Sequence, residues 1–248
     1  MHHPRLMAFD LDGTLAESKQ CMSADTGELL SQLLQKMPVA IMSGAGWPQF
    51  QTQFFPALPM EANLANLYIF PTNAAQCFVY RQNWKPQYDH AFNDADRAEI
   101  HRAIADALVE VSMPEPKQAW GDIVQDRGAQ ITFSAVGQEA PVPAKQEWAA
   151  AYNDKRKELR NLLANKLPNY SVSTGGITSV DVTPKGITKA YGIKRLAELT
   201  GIPIAQMLYV GDALEEGGND AVVKETGVPT HQVFGPEETA GLITSLLK

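Results

Sequence analysis

Short apolar runs alternate with helically spaced apolar residues in the first and last thirds of the chain. Arg5 to Asp10 (RLMAFD) is an apolar run ending on a carboxylate, which predicts a buried strand. Leu29, Leu30, Leu33, Leu34 and Met37 then recur at helical spacing, and Pro38 stops that helix before a second strand-like run, Val39 to Met42 (VAIM). Such β-α-β order implies a parallel sheet with crossover helices. Near the end, Ile193, Leu196, Ala197 and Leu199 mark a helix that Gly201 closes. Met207 to Val210 (MLYV) is a further strand, and a last helix from near Pro236 buries Leu242, Ile243, Leu246 and Leu247.

The middle has a different texture. Ile100, Ile104, Leu108 and Val111 predict an amphipathic helix closed by Met113 to Pro116 (MPEP). Ile131 to Val136 and Thr178 to Val182 alternate like half-buried strands, with a long polar helix, about Glu147 to Leu167, between them. That mixture predicts an α+β module with an antiparallel sheet. The expected organisation is a split α/β core, residues 1–82 and 185–248, with residues 83–184 inserted in it.

Composition narrows the function classes. The 248 residues are 44% hydrophobic and 20% charged, as in an ordinary globular protein, and carry a net charge of −7. No basic stripe points to nucleic acid, and no long apolar segment points to a membrane, so the expected location is the cytoplasm. Two cysteines, Cys21 and Cys77, are too few for a disulfide framework. His2 and His3 are given no metal role. An acidic protein that handles an anionic substrate must build a local positive site, and a bound metal ion is the obvious means.

The chemistry-bearing signal is Phe9-Asp10-Leu11-Asp12-Gly13-Thr14 at the end of the first strand. In extended chain, residues two apart face the same way, so Asp10 and Asp12 are expected to share a space outside the strand's carboxyl end. A plain turn is the alternative for this segment alone. Gly13 permits a sharp turn whose backbone N–H groups, with Thr14, can hold phosphate oxygens. Asp212 ends another strand (MLYVGD), so it should reach the same edge; Asp10, Asp12 and Asp212 make a hard-oxygen site suited to Mg²⁺. Asn219 and Asp220 follow in a GGND run and are expected just behind the ion, Asp220 doubling as a helix cap. Ser43 and Gly44 after the second strand, and Lys189 at the start of a late helix, complete a phosphate cradle.

These pieces, in this order, resemble the haloacid dehalogenase (HAD) superfamily: FDLDGT, a strand-end Ser43, Lys189 and YVGDALEEGGND. The position of the insertion resembles the type IIB branch, implying a Rossmann-like core with a C2B cap. Within that branch, the long loop ending in GGND and Gly175 to Val182 (GGITSVDV) are similar to eukaryotic-type phosphomannomutases. That resemblance implies sugar contacts from Ser179 and Asp181, a phosphate contact from Arg127, and a homodimer through the cap. Read from the residues alone, Ser179 and Asp181 are equally a polar pair on one strand face, and Arg127 a surface charge.

Three positions depart from the phosphomannomutase pattern. Trp120 stands where a second cap arginine is expected, Gln125 where an acidic residue is, and Lys19 where an arginine is. A mutase must hold two phosphates, and loss of a bidentate guanidinium weakens the distal grip. The primary expectation is therefore a Mg²⁺-dependent sugar-phosphate phosphatase acting through a phosphoaspartate on Asp10, with Asp12 as acid and base. The alternatives are a phosphomannomutase or phosphohexomutase and a catalytically silent phosphosugar-binding protein.

Overall fold

The computed structural model describes residues 4–248, so His2 and His3 lie outside the described residues. In chain order the elements are β1 (Leu6–Phe9), α1 (Ala24–Lys36), β2 (Val39–Met42), α2 (Trp47–Gln53), β3 (Leu67–Phe70), β4 (Gln76–Arg81) and β5 (Asn83–Asp89). Next come α3 (Asp94–Glu110), β6 (Val124–Asp126), β7 (Ile131–Ser134), α4 (Val142–Lys166), β8 (Tyr170–Thr174) and β9 (Ser179–Pro184). The chain ends with α5 (Lys189–Thr200), β10 (Met207–Gly211), β11 (Thr230–Gln232) and α6 (Pro236–Leu247). Short 3-10 turns connect several of these.

Two compact units result, one running to Asp89 and resuming at Thr188, the other spanning His90–Ile187. The first holds a seven-stranded sheet in the order β11-β10-β1-β2-β3-β4-β5. Strands β11 to β3 pair in parallel, while β4 and β5 are antiparallel. One face packs Met7, Phe9, Val39 and Ile41 with Leu30, Leu33, Leu34 and Ile243 of α1 and α6; the other packs Leu6, Ala8, Ala40 and Met42 with Ile193 and Leu196 of α5. Covering helices on both faces is what makes these strands apolar throughout rather than alternating.

The second unit is a four-stranded antiparallel sheet, β6-β7-β9-β8, with α3 and α4 on one face. Its alternation is plain: Ile131, Phe133, Val180 and Val182 join the apolar cluster, while Thr132, Ser134, Ser179 and Asp181 point the other way.

The sequence-expected boundary after residue 82 falls inside the β4–β5 hairpin, turned by Gln82 at φ 67°. β5 (NWKPQYD) belongs to the core sheet but lies at its edge, largely exposed and carrying Pro86, so it lacks an apolar signature. The long helix starts at Val142 rather than Glu147, with Tyr152 out of helical geometry. The expected strand 131–136 ends at Ser134, where the chain turns towards Gly137.

Candidate active site

Sheet register decides what meets at the carboxyl edge. Phe9 pairs with Val210 and Ile41, so Asp10, Asp212 and Ser43 all emerge just beyond adjacent strand ends. The Asp10 N–H donates to the Val210 carbonyl (2.9 Å), continuing the ladder one residue past β1. There the extended geometry stops. The Leu11 carbonyl accepts from the N–H groups of Leu15 (2.9 Å) and Ala16 (3.1 Å), and buried Leu11 and Leu15 pin this tight loop to the core. Gly13 has φ 83°, and a Cβ there would collide with Asp212 Oδ2. Glycine is thus required both for the turn and for the approach of the loop to Asp212.

The centre of the site is one buried ammonium among carboxylates. Lys189 Nζ lies 2.6 Å from Asp10 Oδ1 and 2.6 Å from Asp220 Oδ1. A lysine in a helix's first turn opposes the macrodipole, and here the two anions offset that cost. Tyr209, wholly buried on β10, donates its hydroxyl to the same Asp220 oxygen (2.5 Å). Seven residues separate Asp212 from Asp220, yet the loop folds back on itself: the Asp220 N–H donates to the Ala213 carbonyl (3.1 Å), and a Cβ on Gly211 would strike Asp220. The expected helix after Asp220 is a 3-10 turn, Ala221–Thr226, and the Asp220 side chain does not cap it.

Charge crowding shifts the site's proton affinities. Burial, and then the charges of Asp220 and Asp212, raise Asp10 well above the ordinary carboxyl range against the pull of Lys189. Burial and Asp220 push Asp212 up to about 6. Burial alone pulls Lys189 down, but Asp10 and Asp220 outweigh it, so its affinity for a proton is raised and it stays charged. Burial and Asp220 raise Tyr209, keeping it a hydrogen-bond donor.

Not every expected residue joins this cluster. The carboxylate of Asp12 accepts from the Lys19 N–H (2.6 Å) and from Gln53 Nε2 (3.0 Å), with Gln49 Nε2 at 3.5 Å. Asp220, expected behind the ion, instead offers an oxygen alongside Asp10 and Asp212. Asp12, expected among the metal ligands, is not in that group; the chain has left extended geometry after Asp10, and Asp12 forms an isolated bridge with Ala16. Asn219 lies half-buried beside Asp220, and Gly44 half-buried beside Ser43. Buried Ser43 accepts the Ala45 N–H on its Oγ (3.0 Å). Thr14 Oγ1 is buried without a hydrogen-bond partner among the described residues, as a hydroxyl reserved for a ligand would be. The sequence reading missed Gln49, Gln53 and Tyr209. Their only signal is position, on the helix after Ser43 and on the strand before Asp212.

In the inserted unit, Arg127 is held by two glutamines: Nε donates to Gln125 Oε1 (2.8 Å) and an Nη to Gln138 Oε1 (2.9 Å). Asp181 is buried and accepts from Thr132 Oγ1 (2.8 Å). Ser179 shares its strand face, and Gly175 lies against both, leaving little room for a Cβ. Trp120 is half-buried.

Asp10, Asp212 and Asp220 each offer an oxygen within 4.8 Å of the others, the one such group of metal-ligating side chains among the described residues. Three carboxylates against one ammonium leave excess negative charge that a hard divalent cation offsets, so the residues fit Mg²⁺. Acids and a lysine gathered at the carboxyl edge of an α/β sheet are the equipment of a phosphoryl-transfer protein. The chain belongs to the haloacid dehalogenase-like hydrolase family, which it matches over residues 7–220. It is 25% identical over 253 residues to a probable phosphomannomutase of Caenorhabditis elegans, covering 98% of this chain and 95% of the relative. It is 24% identical to a Saccharomyces cerevisiae phosphomannomutase, covering 97% and 93%. Among solved structures, an N-terminally truncated, IMP-bound IMP-nucleotidase of Plasmodium falciparum superposes with a TM-score of 0.71 at 20% identity, over 98% of this chain and 68% of that one. No helix among the described residues is long and apolar enough to cross a membrane.

Proposed function

We propose that the protein is a Mg²⁺-dependent phosphotransferase that interconverts hexose 1- and 6-phosphates through a phosphoaspartate on Asp10. The observation that carries the phosphotransfer reading is the convergence of Asp10, Lys189, Asp212 and Asp220 within hydrogen-bonding or ligand distance at one sheet edge. Full-length similarity to phosphomannomutases favours isomerisation over the hydrolysis first expected from sequence. Hydrolysis stays as a second reading because Trp120 and Gln125 occupy positions where the mutase pattern has charged residues.

Asp10, Asp212 and Asp220 would hold the ion, which when bound screens the repulsion between carboxylate and phosphate dianion. The Asp10 carboxylate attacks phosphorus, the bond to the sugar oxygen breaks, and that oxygen takes a proton from Asp12. The acceptor hydroxyl then gives its proton to Asp12 and attacks phosphorus, releasing Asp10 as a carboxylate. Lys189, Ser43, Thr14 and loop N–H groups at Gly13 and Gly44 stabilise the equatorial oxygens in both steps. Arg127, Ser179 and Asp181 of the inserted unit are proposed hexose-phosphate-binding residues. If water is the acceptor, the same machinery is a phosphatase.

The deciding experiment is incubation with mannose 1-phosphate, Mg²⁺ and a trace of hexose 1,6-bisphosphate. Appearance of the 6-phosphate is expected. Free phosphate would select the hydrolase, and neither product would defeat both.

A further inference from the structure

The proposed phosphate grip takes Ser43 from one element and Lys189 from another, and one strained segment touches the supports of both. After β3 and Pro71 the chain passes through three consecutive left-handed residues, Thr72 (φ 53°), Asn73 (φ 54°) and Ala74 (φ 68°). None is glycine, Thr72 is β-branched and only Asn73 is of a type that visits this region routinely, so Thr72 and Ala74 adopt a conformation that their Cβ disfavours. Such runs persist only where the surroundings over-determine them. Thr72 and Ala74 are wholly buried, and Thr72 Oγ1 has no hydrogen-bond partner among the described residues, so its hydroxyl does not compensate.

The turn's backbone shows what it holds. The Thr72 N–H donates to the Ala45 carbonyl (2.9 Å) and the Asn73 N–H to the Ser43 carbonyl (2.9 Å). Those two bonds clamp both ends of the segment in which Ser43 Oγ accepts the Ala45 N–H. On its other side the turn meets α5: a Cβ on Gly192 would lie 2.7 Å from Ala74 Cβ and 3.1 Å from Met42 Sδ. Gly192 lies three residues into the helix that opens with Lys189. Only a glycine lets that helix settle directly on the turn.

We infer that the turn Thr72-Asn73-Ala74 is a positioning device, fixing the separation between the Ser43 loop and Lys189 and so the width of the phosphate grip. This rests on the phosphotransferase reading and adds residues to its support rather than to its chemistry.

Gly192→Ala sets a methyl against Ala74 Cβ, which cannot rotate away, and forces α5 off the turn. Inhibition of phosphoester turnover by inorganic phosphate should then weaken about 10- to 100-fold, the scale expected for an ångström of misplacement. Ala74→Gly removes the opposing methyl: alone it should keep the parent kinetics, and combined with Gly192→Ala it should restore phosphate inhibition. Unchanged inhibition in Gly192→Ala, or a loss that Ala74→Gly does not rescue, would overturn the inference, even if thermal stability falls. Should Gly192→Ala not fold, Ala74→Ser adds one atom to the same contact from the turn's side; weakened inhibition supports the positioning role and unchanged inhibition overturns it. Asp10→Asn assayed in parallel separates the two levels. If it turns over like the parent, the phosphotransferase reading fails; if it is dead while Gly192→Ala binds phosphate normally, only the turn's role fails.

Discussion

Asp212→Asn should make the metal-free protein more stable while destroying its response to Mg²⁺. Burial and the Asp220 charge raise Asp212 from 3.8 to about 6. The folded state therefore binds a proton at Asp212 more tightly than the unfolded chain does, and stability is lost as pH rises from about 4 through about 6. That interval, at about 1.4 kcal/mol per pH unit, amounts to about 3 kcal/mol of destabilisation at pH 7.5. Asparagine keeps the shape and removes the charge, so about 1–3 kcal/mol should return, raising the melting temperature by about 3–10 °C in EDTA. The assay is thermal unfolding of parent and variant at pH 7.5 and pH 5, in EDTA and in Mg²⁺. The parent should gain stability from Mg²⁺ at pH 7.5 and much less at pH 5, where the ligands take up protons. The variant should gain little at either pH and be inactive. A variant less stable than the parent in EDTA at pH 7.5, or an advantage equally large at pH 5, would refute the charge-crowding argument.

Two other perturbations probe neighbouring links. Lys189→Met leaves the buried Asp10 and Asp220 carboxylates facing each other without their ammonium, which should cost about 3–5 kcal/mol in EDTA and abolish turnover; a melting temperature within a degree or two of the parent would contradict it. Gln53→Leu removes the 3.0 Å hydrogen bond to Asp12. It should lower kcat about 10-fold with KM little changed, as expected when an acid–base group is misaligned; a change confined to KM would place Gln53 in binding instead.

Much of this was legible in the chain because apolar strands and their terminal acids carry strong local signals. RLMAFD, VAIM and MLYVGD specify both the parallel sheet and which residues stand at its carboxyl edge. The parts that escaped depend on tertiary context. β5 is polar because it is an edge strand, so its residues looked like the start of the inserted module. Asp12 sits two residues after Asp10, but the loop around Gly13 turns its carboxylate to Gln53 and Lys19. Asp220 looked like a cap set back from the ion, whereas the loop from Asp212 folds it onto Lys189. Strain at Thr72 and Ala74 leaves no mark in residue type, since neither is a residue that favours left-handed backbone.

The central claim is that phosphate is carried on Asp10. It is tested most directly by acid-quenching the Mg²⁺-loaded enzyme during turnover of a labelled hexose phosphate, reducing with borohydride, and mapping the modified peptide. Reductive marking at Asp10, dependent on substrate and absent from Asp10→Asn, is the predicted result. Turnover with label on another residue, such as Ser43, or with no covalent phosphoenzyme under rapid quenching, would contradict it.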